Sequence, residues 1–162
     1  MTERETNDTN PILQELVSPI LKKVEDQLTA ETMSALSSDE ITLLAYYILR
    51  RELLEGGFVQ LIQNGYGPFV FLNPFAKALR LWGAKDFSAW LYDARELYEK
   101  TKDELEQPTQ SDEEFMALYE QHPEWDEFDD TFVEDEPATT ALICDLYRRL
   151  HTNDRQEINN KS

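Results

Sequence analysis

The sequence has few of the residues around which secreted and membrane proteins are built. Cys144 is the single cysteine among 162 residues, which excludes an internal disulfide and is typical of a reducing compartment. No run of 18 uncharged apolar residues occurs, so no transmembrane helix is expected. The N-terminal "MTERETNDTN" lacks the basic and apolar regions of a secretory signal. We therefore expect a cytoplasmic protein that does not associate with membranes.

Residues with catalytic chemistry are also scarce. The only histidines are His122 and His151, and neither has a neighbouring serine or cysteine that would form a nucleophile and base. Cys144 lies among apolar residues of a helical pattern, where an inert buried thiol is expected. Phosphate-binding loops, dinucleotide fingerprints and zinc-ligand spacings do not occur. We predict that the protein is not an enzyme and holds no cofactor and no metal.

Basic residues are missing from one long segment. From Asp103 to Tyr147 the chain has 16 acidic residues and no lysine or arginine, which accounts for most of the net charge of −18. Nucleic acids and anionic lipids are polyanions, so direct binding to either is not expected. Basic proteins are the expected partners, and a solvated face that serves solubility is the alternative.

The composition and the apolar periodicity predict an all-α protein with a single compact helical domain. Apolar residues make up 41% of the chain, enough for a sizeable core. We place this domain at 11–151, with the acidic block at 103–147, a flexible polar tail at 1–10 and a frayed polar tail at 152–162.

Several helix boundaries can be predicted from caps and prolines. Capping boxes begin helices at Ser37 and Ser111, and glycines follow the helices that end before Gly56 and Gly83. Pro19 is expected to kink or divide the first helix. Three further boundaries are a helix from Pro74, a helix capped by Asp86, and a last helix from about Pro137 to Leu150. Residues 58–73 fit either a hairpin turning at Asn64-Gly65 or a short helix followed by a loop.

The stretch "HPEWDEFDDTFVEDEP", residues 122–137, is dense in carboxylates. It does not fit a calcium-binding EF-hand loop, because counting from Asp126 places Phe128 and Thr131 where an oxygen ligand and a glycine are required. Trp125, Phe128 and Phe132 are spaced for one face of a helix. We expect these aromatics to anchor the segment and the acids Glu124, Asp126, Glu127, Asp129 and Asp130 to face solvent.

An ordered acidic helix can present charges in the way that DNA presents phosphates. Residues four apart on a helix rise about 6 Å, so carboxylates on successive turns approach the separations of phosphates. A basic DNA-binding protein would be attracted by the same electrostatics that it uses for DNA. The predicted partner-binding residues are Asp112, Glu113, Glu114, Glu120, Glu124, Asp126, Glu127, Asp129, Asp130, Glu134, Asp135 and Glu136.

Two further stretches, "EGGFVQLIQNG" at 55–65 and "LRLWGAKDFSAWLYDA" at 79–94, carry a family resemblance. The sequence resembles the bacterial 19-kDa DNA-mimic protein family, whose motif reads Asn-Gly-Gly-Phe-x-Gln…Asn followed by a Gly-Ala block. The matching residues are Gly56, Gly57, Phe58, Gln60, Asn64, Gly83 and Ala84, and a structural role is expected for them. Glu55 stands where the family has asparagine, so the role of that side chain does not carry over.

The resemblance implies an all-helical fold, with a helix rather than a hairpin at 58–63, a homodimer and no enzymatic activity. It also implies a protein that binds the DNA-binding face of a helix-turn-helix transcription factor and displaces operator DNA, thereby regulating transcription. Two alternatives stay open at this point. One is an acidic interaction or adaptor module whose partner does not bind DNA, and the other is a hydrolase that uses paired carboxylates and a divalent metal.

Overall fold

A computed structural model describes the backbone of residues 10–24 and 29–161, with side chains through Leu150. Its helices are α1 Pro11–Val24, α2 Ala30–Met33, α3 Ser38–Glu55, α4 Gly57–Gln63, a π-helical segment Pro68–Leu72, α5 Phe75–Trp82, α6 Lys85–Leu105, α7 Asp112–Glu120 and α8 Glu124–Lys161. No strand occurs in these two ranges. The all-α prediction is therefore confirmed, and the hairpin considered for 58–73 does not form.

Local hydrogen bonds explain where several helices begin. The capping box at the start of α3 is complete, because Glu40 N–H donates to Ser37 Oγ at 3.1 Å and Ser37 N–H donates to Glu40 Oε1 at 3.0 Å. The box at α7 is only half formed, because the Glu114 carboxylate accepts from Gln110 N–H instead. Asp86, predicted to cap α6, lies inside its first turn.

The core is built around α3, which contacts α1, α4, α5 and α8. Its buried residues include Leu43, Leu44, Tyr46 and Leu49. Burying apolar surface of this kind is the main favourable term in folding. The π-helical segment contributes Val70 and Phe71 to the same core, which explains why this apolar run resembles a strand in sequence.

Pro19 does not divide the first helix, and Pro137 does not begin the last one. Pro19 is within α1, which runs unbroken to Val24. Pro137 is within α8, which begins at Glu124 rather than near Pro137 and continues to Lys161 rather than ending at Leu150. Pro137 is exposed, as is Val133, whose carbonyl loses its helical donor, so water can satisfy that carbonyl.

The two polar tails predicted from the sequence stay predictions. Fraying of 152–162 is a prediction about motion that the helical backbone of residues 152–161 does not test. Residues 1–9 of the predicted N-terminal tail lie outside the described part of the chain.

Candidate protein-binding surface

Most carboxylates of the 103–147 block are exposed on the ends and outer faces of α6, α7 and α8. We call the exposed members the acidic surface: Asp103, Glu104, Glu106, Asp112, Glu113, Glu114, Glu120, Glu124, Glu127, Asp130, Glu134, Asp135 and Asp145. Nine of the twelve predicted partner-binding residues belong to it. Asp126 and Glu136 are half-buried, and Asp129 is buried.

The aromatic stripe anchors this surface as the helical spacing predicts. Trp125 and Phe132 are buried and Phe128 packs against the core. The Trp125 ring lies 4.7 Å from the Phe58 ring, measured between centroids, and Phe132 lies 6.0 Å from Trp90. Such aromatic contacts add to the stabilisation from buried area, so the acids between them are carried on a fixed helix rather than a loose tail.

Few of these negative charges are compensated locally. Among the described side chains, two members of the acidic surface contact a basic side chain, Glu104 with His122 at 2.9 Å and Asp145 with Arg149 at 2.8 Å. The concentrated charge also acts on a neighbouring phenol: burial, together with the charges of Asp129 and Asp126, raises the pKa of Tyr119 to about 12. The surface is therefore electronegative and suited to a cationic partner.

Asp129 corrects the expectation that every acid of this segment faces solvent. It is 7% exposed, and its Oδ1 accepts the backbone N–H of Phe58 at 2.9 Å. Burial raises the pKa of Asp129 to about 7, although the hydrogen bond from Phe58 opposes the shift. The helical period contains the signal for this burial, because Asp129 falls four residues after Trp125 and three before Phe132, on the anchored face.

Glu136 lies on the same buried stripe, at a contact between α8 and α3. Its carboxylate pairs with Arg50 Nε at 3.0 Å and accepts from the Thr140 hydroxyl. Tyr46 Oη lies 2.7 Å from Thr140 Oγ1 in the same cluster. The side chain of Glu136 is only 13% exposed, so it contributes to packing between helices more than to the acidic surface.

The family-motif residues meet Asp129 and a second buried acid, Glu52. Gly57 has φ of +79°, and a Cβ there would lie 2.2 Å from Asp129 Oδ2. Gln60 Nε2 and Asn64 Nδ2 donate to the Glu52 carboxylate at 2.7 and 2.9 Å. Glu52 is 3% exposed, and nothing in its local sequence indicates this role. These contacts join α3, α4 and α8.

The second half of the motif also makes local structural contacts. Gly83 ends α5 with φ of +113°, a conformation that favours glycine. Ala84, which follows it, is buried. Gly56 lies against the Gln60 side chain, and a Cβ at that position would come within 2.1 Å of Gln60 Oε1.

The described part of the chain contains neither a metal-ligand cluster nor a membrane-spanning helix. Within these residues, no three His, Cys, Asp or Glu side chains are grouped so that they could hold a metal ion. None of the described helices is long and apolar enough to cross a membrane.

Comparison with known proteins places the chain in a family. A family model described as "DMP19-like protein" matches residues 34–151, which include the glycine motif and the whole acidic block. Over 138 residues the chain is 37% identical to "DNA mimic protein DMP19" of Neisseria meningitidis serogroup B, with 85% of this chain and 83% of that protein covered. The chain belongs to the DMP19-like protein family.

Proposed function

We propose that this protein is a DNA mimic that acts without catalysis. Its acidic surface would bind the DNA-binding face of a helix-turn-helix transcription factor, block its binding to operator DNA and so regulate transcription. The observation that carries the proposal is the 103–147 block, in which 13 of 16 acids are exposed and no lysine or arginine intervenes. The name of the Neisseria relative supports the same function.

The helical spacing supports an ordered display of charge. Glu127, Asp130 and Glu134 are exposed on α8 at intervals of three and four residues, which correspond to rises of about 4.5 and 6 Å. Trp125 and Phe132 hold this part of α8 against the core. The partner's lysines and arginines would therefore meet carboxylates in a fixed arrangement, as they meet phosphates along DNA.

Competition follows from the shared binding face. A regulator whose basic residues pair with these carboxylates cannot place the same residues on phosphates. Long-range attraction between the acidic surface and that face would also accelerate the encounter. We further propose a cytoplasmic homodimer, in which a second subunit would extend the acidic surface.

A mobility-shift competition tests the proposal. The protein is added to a helix-turn-helix regulator bound to labelled operator DNA, and release of the DNA is measured. The test variant carries Glu127→Gln, Asp130→Asn and Glu134→Gln. The matched control carries Glu15→Gln, Glu31→Gln and Asp93→Asn, three exposed acids outside the block. We expect the test variant to need about tenfold more protein for half-release, and the control to behave like wild type.

Salt provides a second measurement. Screening shortens the reach of exposed charges from about 10 Å at 0.1 M salt to about 3 Å at 1 M, so the affinity for the regulator should fall steeply with salt. Equal competition by the two triple variants, or an affinity independent of salt, would contradict the proposal. Light scattering of the purified protein tests the dimer separately.

A further inference from the structure

A cavity of about 130 Å³ opens between the start of α6 and the middle of α8. Its walls are formed by aromatic rings, two hydroxyls and two carboxylates: Asp86, Phe87, Trp90, Thr131, Phe132, Asp135 and Thr139. One water needs only about 10–15 Å³ of such space, so the cavity has room for the head of a side chain. No lysine or arginine is among the residues that line it.

The three aromatic rings that line the cavity pack against one another. Phe87 and Trp90 stack with their ring centroids 5.3 Å apart and their planes at 22°. Trp90 and Phe132 lie 6.0 Å apart at 27°. Phe87 and Trp90 are partly exposed whereas Phe132 is buried, and all three residues line the cavity. Aromatic faces carry a negative quadrupole that attracts cations.

The two carboxylates come from different helices. Asp86 is one turn before Trp90 on α6, and Asp135 lies between Thr131 and Thr139 on α8. Both aspartates are exposed, and Asp135 belongs to the acidic surface. A cation that enters the cavity would therefore meet aromatic rings and carboxylates together, which is a combination that suits a planar guanidinium. Guanidinium is weakly hydrated, stacks on rings and pairs with carboxylates through two parallel hydrogen bonds.

We propose that this cavity receives an arginine side chain of the DNA-binding partner. The inference rests on the proposed function and names one contact within it. Arginine is the side chain that reads guanine in the major groove and enters narrow, electronegative minor grooves. The cavity presents a similar setting, with aromatic rings in place of bases and carboxylates in place of phosphates. It adds a shape-selective contact to a surface that otherwise attracts by charge.

Tryptophan indole resonances test the cavity directly. The chain has three tryptophans, so a Trp90→Phe variant assigns the Trp90 indole signal. The protein is titrated with N-acetyl-arginine amide, with the neutral isostere N-acetyl-citrulline amide, and with N-acetyl-lysine amide. We expect the arginine derivative to shift the Trp90 signal saturably, the lysine derivative to bind more weakly, and citrulline to have no effect.

Two double variants distinguish binding in the cavity from general electrostatic attraction. Asp86→Asn with Asp135→Asn removes both carboxylates of the cavity, whereas Glu127→Gln with Asp130→Asn removes two other exposed charges. We expect the first pair to weaken arginine binding about tenfold and the second to leave it close to wild type. Equal shifts with citrulline or lysine, or wild-type binding by the first pair, would overturn the assignment.

The regulator competition distinguishes this inference from the proposed function. If the protein releases operator DNA but its Trp90 signal does not shift with the arginine derivative, the arginine site in the cavity is contradicted and DNA mimicry is still supported. A saturable Trp90 shift without release of DNA would contradict mimicry while supporting a guanidinium site. If both hold, the Asp86→Asn, Asp135→Asn pair should need more protein for half-release than the Glu127→Gln, Asp130→Asn pair.

Discussion

Asp129 shows that position within the acidic segment decides the role of a carboxylate. It is buried against the backbone N–H of Phe58, and its Oδ2 is buried without a hydrogen-bond partner. Its neighbour Asp130 is exposed. Burial disfavours the charged form of Asp129, whereas the exposed Asp130 does not bear this cost, although the two residues are adjacent in sequence.

The raised pKa of Asp129 predicts a pH dependence of stability. The folded protein holds this proton up to about pH 7, whereas the ordinary value is 3.8. Between these values folding takes up a proton, so the free energy of unfolding falls as pH rises. We expect Asp129→Asn to gain stability relative to wild type from pH 5 to 7, by at most about 1.4 kcal/mol per pH unit, in urea unfolding.

Asp130→Asn is the matched control for this measurement. It removes one charge from an exposed neighbour, so its stability difference from wild type should change little across the same pH range. A difference between Asp129→Asn and wild type that is constant from pH 5 to 7 would show that Asp129 does not titrate there.

Gly57 provides a steric prediction. Gly57→Ala places Cβ 2.2 Å from Asp129 Oδ2 at a φ of +79°. Gly65 has a φ of +87°, and a Cβ added there would meet no atom within 4 Å. Both alanine variants therefore strain the backbone, but only Gly57→Ala adds a steric clash. We expect losses of about 3 kcal/mol for Gly57→Ala and about 1 kcal/mol for Gly65→Ala in denaturant unfolding. Equal losses would mean that the Asp129 contact is unimportant.

At the scale of elements, α8 packs against the core with one face and displays acidic residues on the other. The face containing Trp125, Phe132 and Ile143 is buried in the core. The opposite face carries Glu127 and Glu134 into solvent. This amphipathic division explains how a helix with so many acids stays folded against the rest of the protein.

The contact between α8 and α3 leads to a prediction at this scale. Glu136→Gln removes the negative charge that pairs with Arg50, which is itself 8% exposed. Removing one member of a buried ion pair destabilises the folded state. We expect a loss of about 2 kcal/mol in the free energy of unfolding. The control Glu134→Gln, an exposed acid two residues earlier, should change stability by about 0.5 kcal/mol or less. Similar effects of the two variants would argue against a structural role for Glu136.

For the whole molecule, a net charge of −18 makes self-repulsion a general cost of the compact state. Raising NaCl from 0.1 to 1 M should raise the melting temperature, because screening relieves this repulsion. The variant with Glu127→Gln, Asp130→Asn and Glu134→Gln should show a smaller rise, measured by circular dichroism. An identical salt response would indicate that repulsion within this surface does not limit stability. The same screening should weaken partner binding, so salt is expected to have opposite effects on stability and on recognition.

The sequence by itself determined the helical class, the capping box at Ser37, the location of the acidic block and the anchoring role of Trp125, Phe128 and Phe132. These features depend on local periodicity, side-chain caps and charge counts, which neighbouring residues specify. The tertiary structure decided which acids are available. Asp129 is buried because α4 presents a backbone N–H to it, and Glu136 is half-buried because α3 presents Arg50. Glu52 is buried because the side-chain amides of Gln60 and Asn64 donate to it. The cavity between α6 and α8 likewise joins Asp86 to Asp135, residues far apart in sequence. Such partners come from other helices, so only packing could reveal them.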